Sequence, residues 1–151
     1  MFRGFNELNM DGKGRIGLPT RYHAHVLDKF HGKFVITVDI HKKCLALYPL
    51  PEWEGIAARL SKLPTSNPAM NTLKRRIIGH ATDVIMDSTG RLLLSPELRS
   101  VAGLEKEVVL VGLDTKCEIW NKADWDAEQQ AAMTTDFSAA DFAEAIDSLA
   151  L

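Results

Sequence analysis

Two short segments place an aspartate and an arginine four residues apart around a glycine: Asp11-Gly12-Lys13-Gly14-Arg15 and Asp87-Ser88-Thr89-Gly90-Arg91. Carboxylate and guanidinium can meet across the mouth of such a loop, while Gly14 or Gly90 supplies the positive φ that a tight turn needs. Two chemistries follow. One is a purely structural clamp. The other is a nucleic-acid tip: Gly12-Lys13-Gly14 is small, basic and exposed, so Lys13 could approach a phosphate and Arg15 a guanine edge in the major groove. Residues 1–25 carry Arg3, Lys13, Arg15 and Arg21 against Glu7 and Asp11, and for this copy the residues alone leave both readings open. For Arg91 they favour the clamp. Residues 78–101 hold Arg91 and Arg99 against Asp83, Asp87 and Glu97, a poor setting for a phosphate backbone.

Other reactive side chains give less. Lys74-Arg75-Arg76 is a basic cluster that reads as a solvated helix face or as a phosphate contact. His23 and His25, two apart on an expected helix, face different ways and chelate poorly, so no metal and no cofactor are expected. Cys44 and Cys117 have neither the number for a disulfide framework nor Cys-x-x-Cys spacing. No nucleophile elbow, phosphate-binding Gly-Lys-Ser/Thr loop, His-Glu-x-x-His or Gly-x-Gly-x-x-Gly occurs, and the chain does not read as an enzyme.

The positioning elements are set by an internal repeat. Residues 2–15 lie over 78–91 at an offset of 76, superposing Met-Asp-x-x-Gly-Arg; Phe34 to Asp39 then lies over Val108 to Leu113, and Leu47-Tyr48-Pro49 over Ile119-Trp120-Asn121. Each copy reads as an extended segment, the loop, a strand, a short helix and two more strands, or ββαββ. The first helix carries Tyr22, Val26 and Phe30 on one face. The second is capped by Ser95 ahead of Pro96 and stopped by Gly103. Copies this short sit at the lower limit of independent folding, so the two halves are expected to interleave about a pseudo-twofold axis with one core. Between them Trp53, Ile56, Leu60 and Leu63, then Met70, Leu73 and Ile77 past the Pro64 to Pro68 break, predict a helical hairpin packed along those stripes. The reading divides the chain into half-domain 1–50, linker 51–77, half-domain 78–122 and an acidic helical tail 123–151. Ser138 to Asp141 resembles a capping box ahead of Phe142, Ile146 and Leu149.

Among 151 residues, 18 Lys and Arg face 20 Asp and Glu, a net charge of −2 that does not call for nucleic acid. That sum conceals +7 over residues 1–76 and −9 over 77–151, with seven acids and no Lys or Arg from Asp124 onward. The basic half could attract a phosphate backbone that the tail would repel. No apolar run approaches a membrane span and the first residues lack the apolar core of a secretory signal, so a cytoplasmic protein without membrane contact is expected.

The opening Met-Phe-Arg-Gly, the twin Asp-x-x-x-Arg loops, Arg15-Ile16-Gly17-Leu18-Pro19-Thr20-Arg21-Tyr22, Leu45 to Trp53, and Gly112 with Ile119-Trp120 together resemble the MraZ family of AbrB-like bacterial transcriptional regulators. The resemblance runs to about residue 125. It implies an α+β fold in which two ββαββ half-domains form a swapped-hairpin β-barrel, a ring-shaped homo-oligomer, and a nucleoid-associated repressor. Its partner would be double-stranded DNA at promoter direct repeats upstream of the division and cell-wall gene cluster, including the regulator's own gene. The DNA-contacting loop falls on Asp11, Gly12, Lys13, Gly14 and Arg15, with Arg15 as base reader. Arg3 and Arg21 are added as phosphate contacts on charge alone, and Asp11, Asp87, Gly90 and Arg91 as the structural motif. Two other readings stand beside it: an antitoxin or protein-interaction module acting through the tail, and a hydrolase drawing on the histidines between 23 and 41.

Overall fold

The computed structural model describes residues 1–151. In chain order the elements are β1 (Phe5–Asn9), β2 (Arg15–Gly17), α1 (Thr20–Phe30), β3 (Lys33–Val38), β4 (Leu45–Pro49), α2 (Leu50–Ser61) and α3 (Pro68–Ile77). They continue as β5 (Thr82–Ile85), β6 (Arg91–Leu93), α4 (Pro96–Val101), β7 (Glu107–Gly112), β8 (Cys117–Asn121), α5 (Lys122–Ala132) and α6 (Ala140–Ser148). The ββαββ order occurs twice, and the mixed α+β architecture is the expected one.

All strand pairs are antiparallel. Six strands form a sheet in the order β1-β7-β8-β4-β3-β5, and β2 and β6 form a separate two-stranded ribbon. Every strand has a neighbour from the opposite repeat, and β1 never pairs with β2, so the hairpins are exchanged between halves. The registers reveal a pseudo-twofold axis. In the large sheet Leu45 faces Ile119 and Leu47 faces Cys117, symmetric about the Ala46 and Glu118 pair. In the ribbon Ile16 faces Leu92, flanked by Arg15 opposite Leu93 and Gly17 opposite Arg91. The contact of Leu8 with Val108 across β1 and β7 is echoed by Val84 with Phe34 across β5 and β3.

The alternating side chains of these strands point into one cluster of 22 buried residues drawn from both halves, including Ile16, Val26, Phe34, Leu45 and Leu47 with Leu92, Leu94, Leu98, Leu110 and Ile119. Helix α1 buries Tyr22, Val26 and Phe30, the three residues its period singles out. Ser95 Oγ accepts the Leu98 N–H at the start of α4, and Gly103 follows its end with φ +61°.

Two expectations change. The hairpin α2–α3 exists, but no side chain of either helix is buried, and Leu63 lies past the end of α2. The hairpin lies on the outside of the large sheet, where Thr37 Oγ1 donates to the Ile77 carbonyl at 2.6 Å, so only part of its apolar stripe finds a partner. Ser138 does not cap α6; its N–H and hydroxyl turn back to Asp136 Oδ1, and the helix starts after Ala139. Phe142 and Leu149 remain exposed, because α6 makes no extensive contact with any other element. No helix is long and apolar enough to cross a membrane.

Because the two repeats share this cluster, they should unfold together. Leu92→Ala, at a fully buried position, is expected to cost about 2–5 kcal/mol while keeping a single urea transition. Two separate transitions would contradict the shared core.

Candidate nucleic-acid interface

Each Asp-x-x-x-Arg loop connects two strands that belong to different sheets. β1 delivers Asp11 and β2 removes Arg15; β5 delivers Asp87 and β6 removes Arg91. Within the first loop Asp11 Oδ1 accepts the N–H of Lys13 (3.0 Å) and of Arg15 (2.9 Å), while Oδ2 accepts Arg15 Nε–H (2.7 Å). The second repeats the pattern. Asp87 Oδ1 accepts the N–H of Thr89 (3.0 Å) and of Arg91 (2.9 Å) together with the Thr89 hydroxyl (2.9 Å), and Oδ2 accepts Arg91 Nε–H (3.0 Å). A carboxylate receiving this many N–H groups is strongly favoured in its charged form. The Arg15 N–H, the Arg15 guanidinium and the Lys13 N–H hold Asp11 at about 2 against the ordinary 3.8. The Arg91 N–H, the Thr89 hydroxyl and N–H, and the Arg91 guanidinium do the same for Asp87, also at about 2.

The glycines are fixed by close approach as well as by φ. Gly14 (φ +87°) and Gly90 (φ +82°) each pass a carbonyl to the opposite half: Leu94 N–H donates to Gly14 O and Leu18 N–H to Gly90 O, both at 2.8 Å. A Cβ at Gly14 would lie 2.8 Å from the Arg99 guanidinium, and one at Gly90 2.2 Å from the His23 ring. Loop 1 is therefore backed by α4 of the second repeat and loop 2 by α1 of the first. Arg99 and His23 were not singled out for this role by the sequence. No local signal marks it, since each loop crosses the pseudo-axis to find its backing helix.

The ribbon brings the two loops side by side, with Arg91 Nη1 4.0 Å from Asp11 Oδ2. Its inner face is Ile16 and Leu92, both fully buried, and its outer face is Arg15, Gly17, Arg91 and Leu93. Each arginine is tied through Nε, which leaves the terminal Nη groups of Arg15 without a hydrogen-bond partner in the protein. Lys13 and Gly12 are exposed beside them, whereas Gly14, expected to share that exposure, is buried against the Arg99 side chain.

Arg3 and Arg21 are placed elsewhere. Arg21 Nη2 donates to Asn6 Oδ1 (2.7 Å), the Tyr22 hydroxyl (3.0 Å) and the Arg3 carbonyl (3.1 Å), binding the start of α1 to the start of β1. Asn6 lies about 16 Å from Asp11 along an extended strand. In the linker, Lys74 Nζ donates to the Leu63 carbonyl at 2.8 Å and braces the hairpin turn, while Arg75 and Arg76 are exposed.

The histidines do not converge on a catalytic constellation. His23 Nε2 lies 2.7 Å from the Leu18 carbonyl, and His25 and His41 line separate surface clefts. One grouping of potential metal ligands, Asp39, Cys44 and Glu118, is internally satisfied. Asp39 Oδ2 accepts the N–H of His41 and Lys42, Glu118 Oε1 accepts the Trp120 indole N–H (3.1 Å), and burial pushes the Cys44 thiol up, against the thiolate a metal requires. Burial also pushes Cys117 up to about 12.

The family model for the MraZ protein, described as antitoxin-like, matches residues 1–76 and again 77–148. A protein of Salmonella paratyphi A named Transcriptional regulator MraZ is 47% identical over 142 residues, covering 89% of this chain and 93% of that one. A protein of the same name from Escherichia coli O127:H6 is 48% identical over 139 residues (87% and 91%), and one from Citrobacter koseri 47% over 142 (89% and 93%).

The clamps predict a pH dependence with a definite sign. Both aspartates titrate lower in the folded chain than their ordinary 3.8, so their stabilisation is complete above that value and is lost as pH falls toward about 2. Urea midpoints of the Asp11→Asn/Asp87→Asn variant should lie below wild type at neutral pH and converge with it through that window. Parallel curves would show that the clamps contribute nothing.

Proposed function

Since this chain belongs to the MraZ family and its relatives are transcriptional regulators, we propose that it regulates transcription by sequence-specific binding to double-stranded DNA. The observation that carries this reading is the ribbon end: two arginines, each clamped through Nε by an aspartate, on the outer face of an exposed two-stranded ribbon. The major groove admits an element of this width, and a guanidinium held by its Nε edge still offers terminal N–H groups to guanine O6 and N7. Arg15 is the base reader. Lys13, beside the exposed Gly12, contacts phosphate, while the buried Gly14 shapes the turn that presents it. Arg91, 4.0 Å from the first loop's aspartate, belongs to the same surface, and Arg3 is an outlying phosphate contact.

One ribbon reads few bases, so useful specificity needs several held at fixed spacing on one particle. The proposal therefore includes a ring-shaped homo-oligomer that engages direct repeats in the promoter of the division and cell-wall gene cluster, its own gene included, as a repressor in the nucleoid. Support for self-association comes from surfaces left uncovered. Residues 55–82 carry five Lys or Arg and no acid beside a half-covered apolar stripe, whereas Asp124 to Leu151 carries seven acids, no base, and the exposed Phe142 and Leu149. The antitoxin-like description and the unpartnered α6 favour a second reading, a protein-interaction module acting through the tail.

A footprint upstream of the protein's own gene tests the first reading. Arg15→Ala should lower affinity there by roughly 5- to 150-fold per engaged subunit, and Lys13→Ala should weaken all sequences and reduce the salt slope by about one. Specific binding that survives Arg15→Ala, or recovery of a stoichiometric protein partner with no DNA retardation, would overturn it. Sedimentation of the full chain should give a multi-subunit particle whose size falls when residues 136–151 are removed; a monomer at micromolar concentration would exclude the ring.

A further inference from the structure

The two arginines of the ribbon do not have equivalent neighbours. In an antiparallel pair, directly opposite residues share a face with Cβ atoms about 5 Å apart. Arg15 lies opposite Leu93, and Arg91 lies opposite Gly17. Leu93 and Gly17 are the same position of the two repeats, yet one carries an apolar side chain that is 54% exposed and the other carries none. Nothing in the fold requires the difference. A Cβ at Gly17 would meet no atom within 4 Å, and its φ is not in the left-handed region, so a side chain would be accommodated there. The core is served by Ile16 and Leu92 on the other face, and Leu93 points away from it.

We propose that Leu93 is a specificity-determining residue that reads the methyl group of a thymine next to the guanine contacted by Arg15. This rests on the DNA-binding reading above. The C5-methyl is the one apolar feature a base pair presents in the major groove, and an aliphatic side chain is its natural complement. Base pairs are stacked about 3.4 Å apart, so a residue about 5 Å from Arg15 on the same face meets the neighbouring pair. Gly17 offers no such contact beside Arg91. The ribbon, symmetric in its backbone, thereby reads two different half-patterns and acquires a direction along the duplex, which suits direct rather than inverted repeats.

The experiment uses the full-length protein and the fragment delimited by its footprint, with thymines replaced singly by deoxyuridine, which removes the methyl and nothing else. Wild type should lose about 3- to 5-fold in affinity at one thymine per repeat, adjacent to a guanine whose contact depends on Arg15. Leu93→Ala should bind the thymine and deoxyuridine fragments equally, and Leu93→Met, which keeps an apolar tip, should retain the sensitivity. A footprint that persists in Leu93→Ala with undiminished methyl sensitivity overturns this inference and leaves the DNA-binding reading intact. So does a wild type that loses no affinity at any deoxyuridine while Leu93→Ala weakens all fragments equally, which would mean that Leu93 merely packs on the Arg15 stem. Absence of any specific footprint by wild type fails the underlying reading instead. Leu93 is exposed, so an unchanged urea midpoint for each variant confirms that folding is not the cause.

Discussion

The exchange of strands across the pseudo-twofold axis is the constraint on which everything else depends. Neither repeat can pair its first strand within itself: β1 hydrogen-bonds to β7 and β5 to β3, and the two β2-type strands find only each other. A half of this length buries too little apolar surface to stand alone. Pairing in this way lets Ile16 and Leu92, Leu45 and Ile119, and Leu47 and Cys117 close one core from both sides. The axis passes through the ribbon, so whatever the ribbon carries outward is presented twice at one place.

That presentation converts a local motif into a rigid tip. The Asp11 and Asp87 carboxylates gather the loop N–H groups and the arginine Nε into one charge-assisted network. Side-chain entropy that a free arginine would lose on binding is then partly lost already on folding. The glycines let each loop lie against a helix of the other half, Arg99 behind Gly14 and His23 behind Gly90. Flexibility at the tip is thus limited by contacts across the axis, and a change in either repeat is felt by both loops.

Charge follows the same geometry only in part. The basic residues of the first 76 positions divide between the loop, the distant Arg3 and Arg21 site, the linker hairpin, and Lys29, Lys33, Lys42 and Lys43 around β3. The acids collect in the tail beyond Asp124. Arg21 shows why a count of basic residues is a weak guide to an interface. Its guanidinium is committed to Asn6, Tyr22 and the Arg3 carbonyl, where it fastens α1 to β1.

Much of the architecture was legible without coordinates. Period 3.6 identified Tyr22, Val26 and Phe30 as the buried face of α1, the 76-residue offset announced two ββαββ units, and the Asp-Gly-Arg spacing announced the clamps, because each depends on residues close in the chain. The tail illustrates where local signals mislead: Ser138 has a capping pattern, yet Asp136 captures its hydroxyl first. Only the tertiary structure decided which strands exchange, and with that the juxtaposition of Arg91 and Asp11, the backing of each loop by the opposite helix, and the pairing of Arg15 with Leu93 but Arg91 with Gly17. Those facts are register relations between segments about 76 residues apart. A sequence specifies the faces of its own strands, but the partner of each strand emerges only when both halves bury their apolar faces in the same volume.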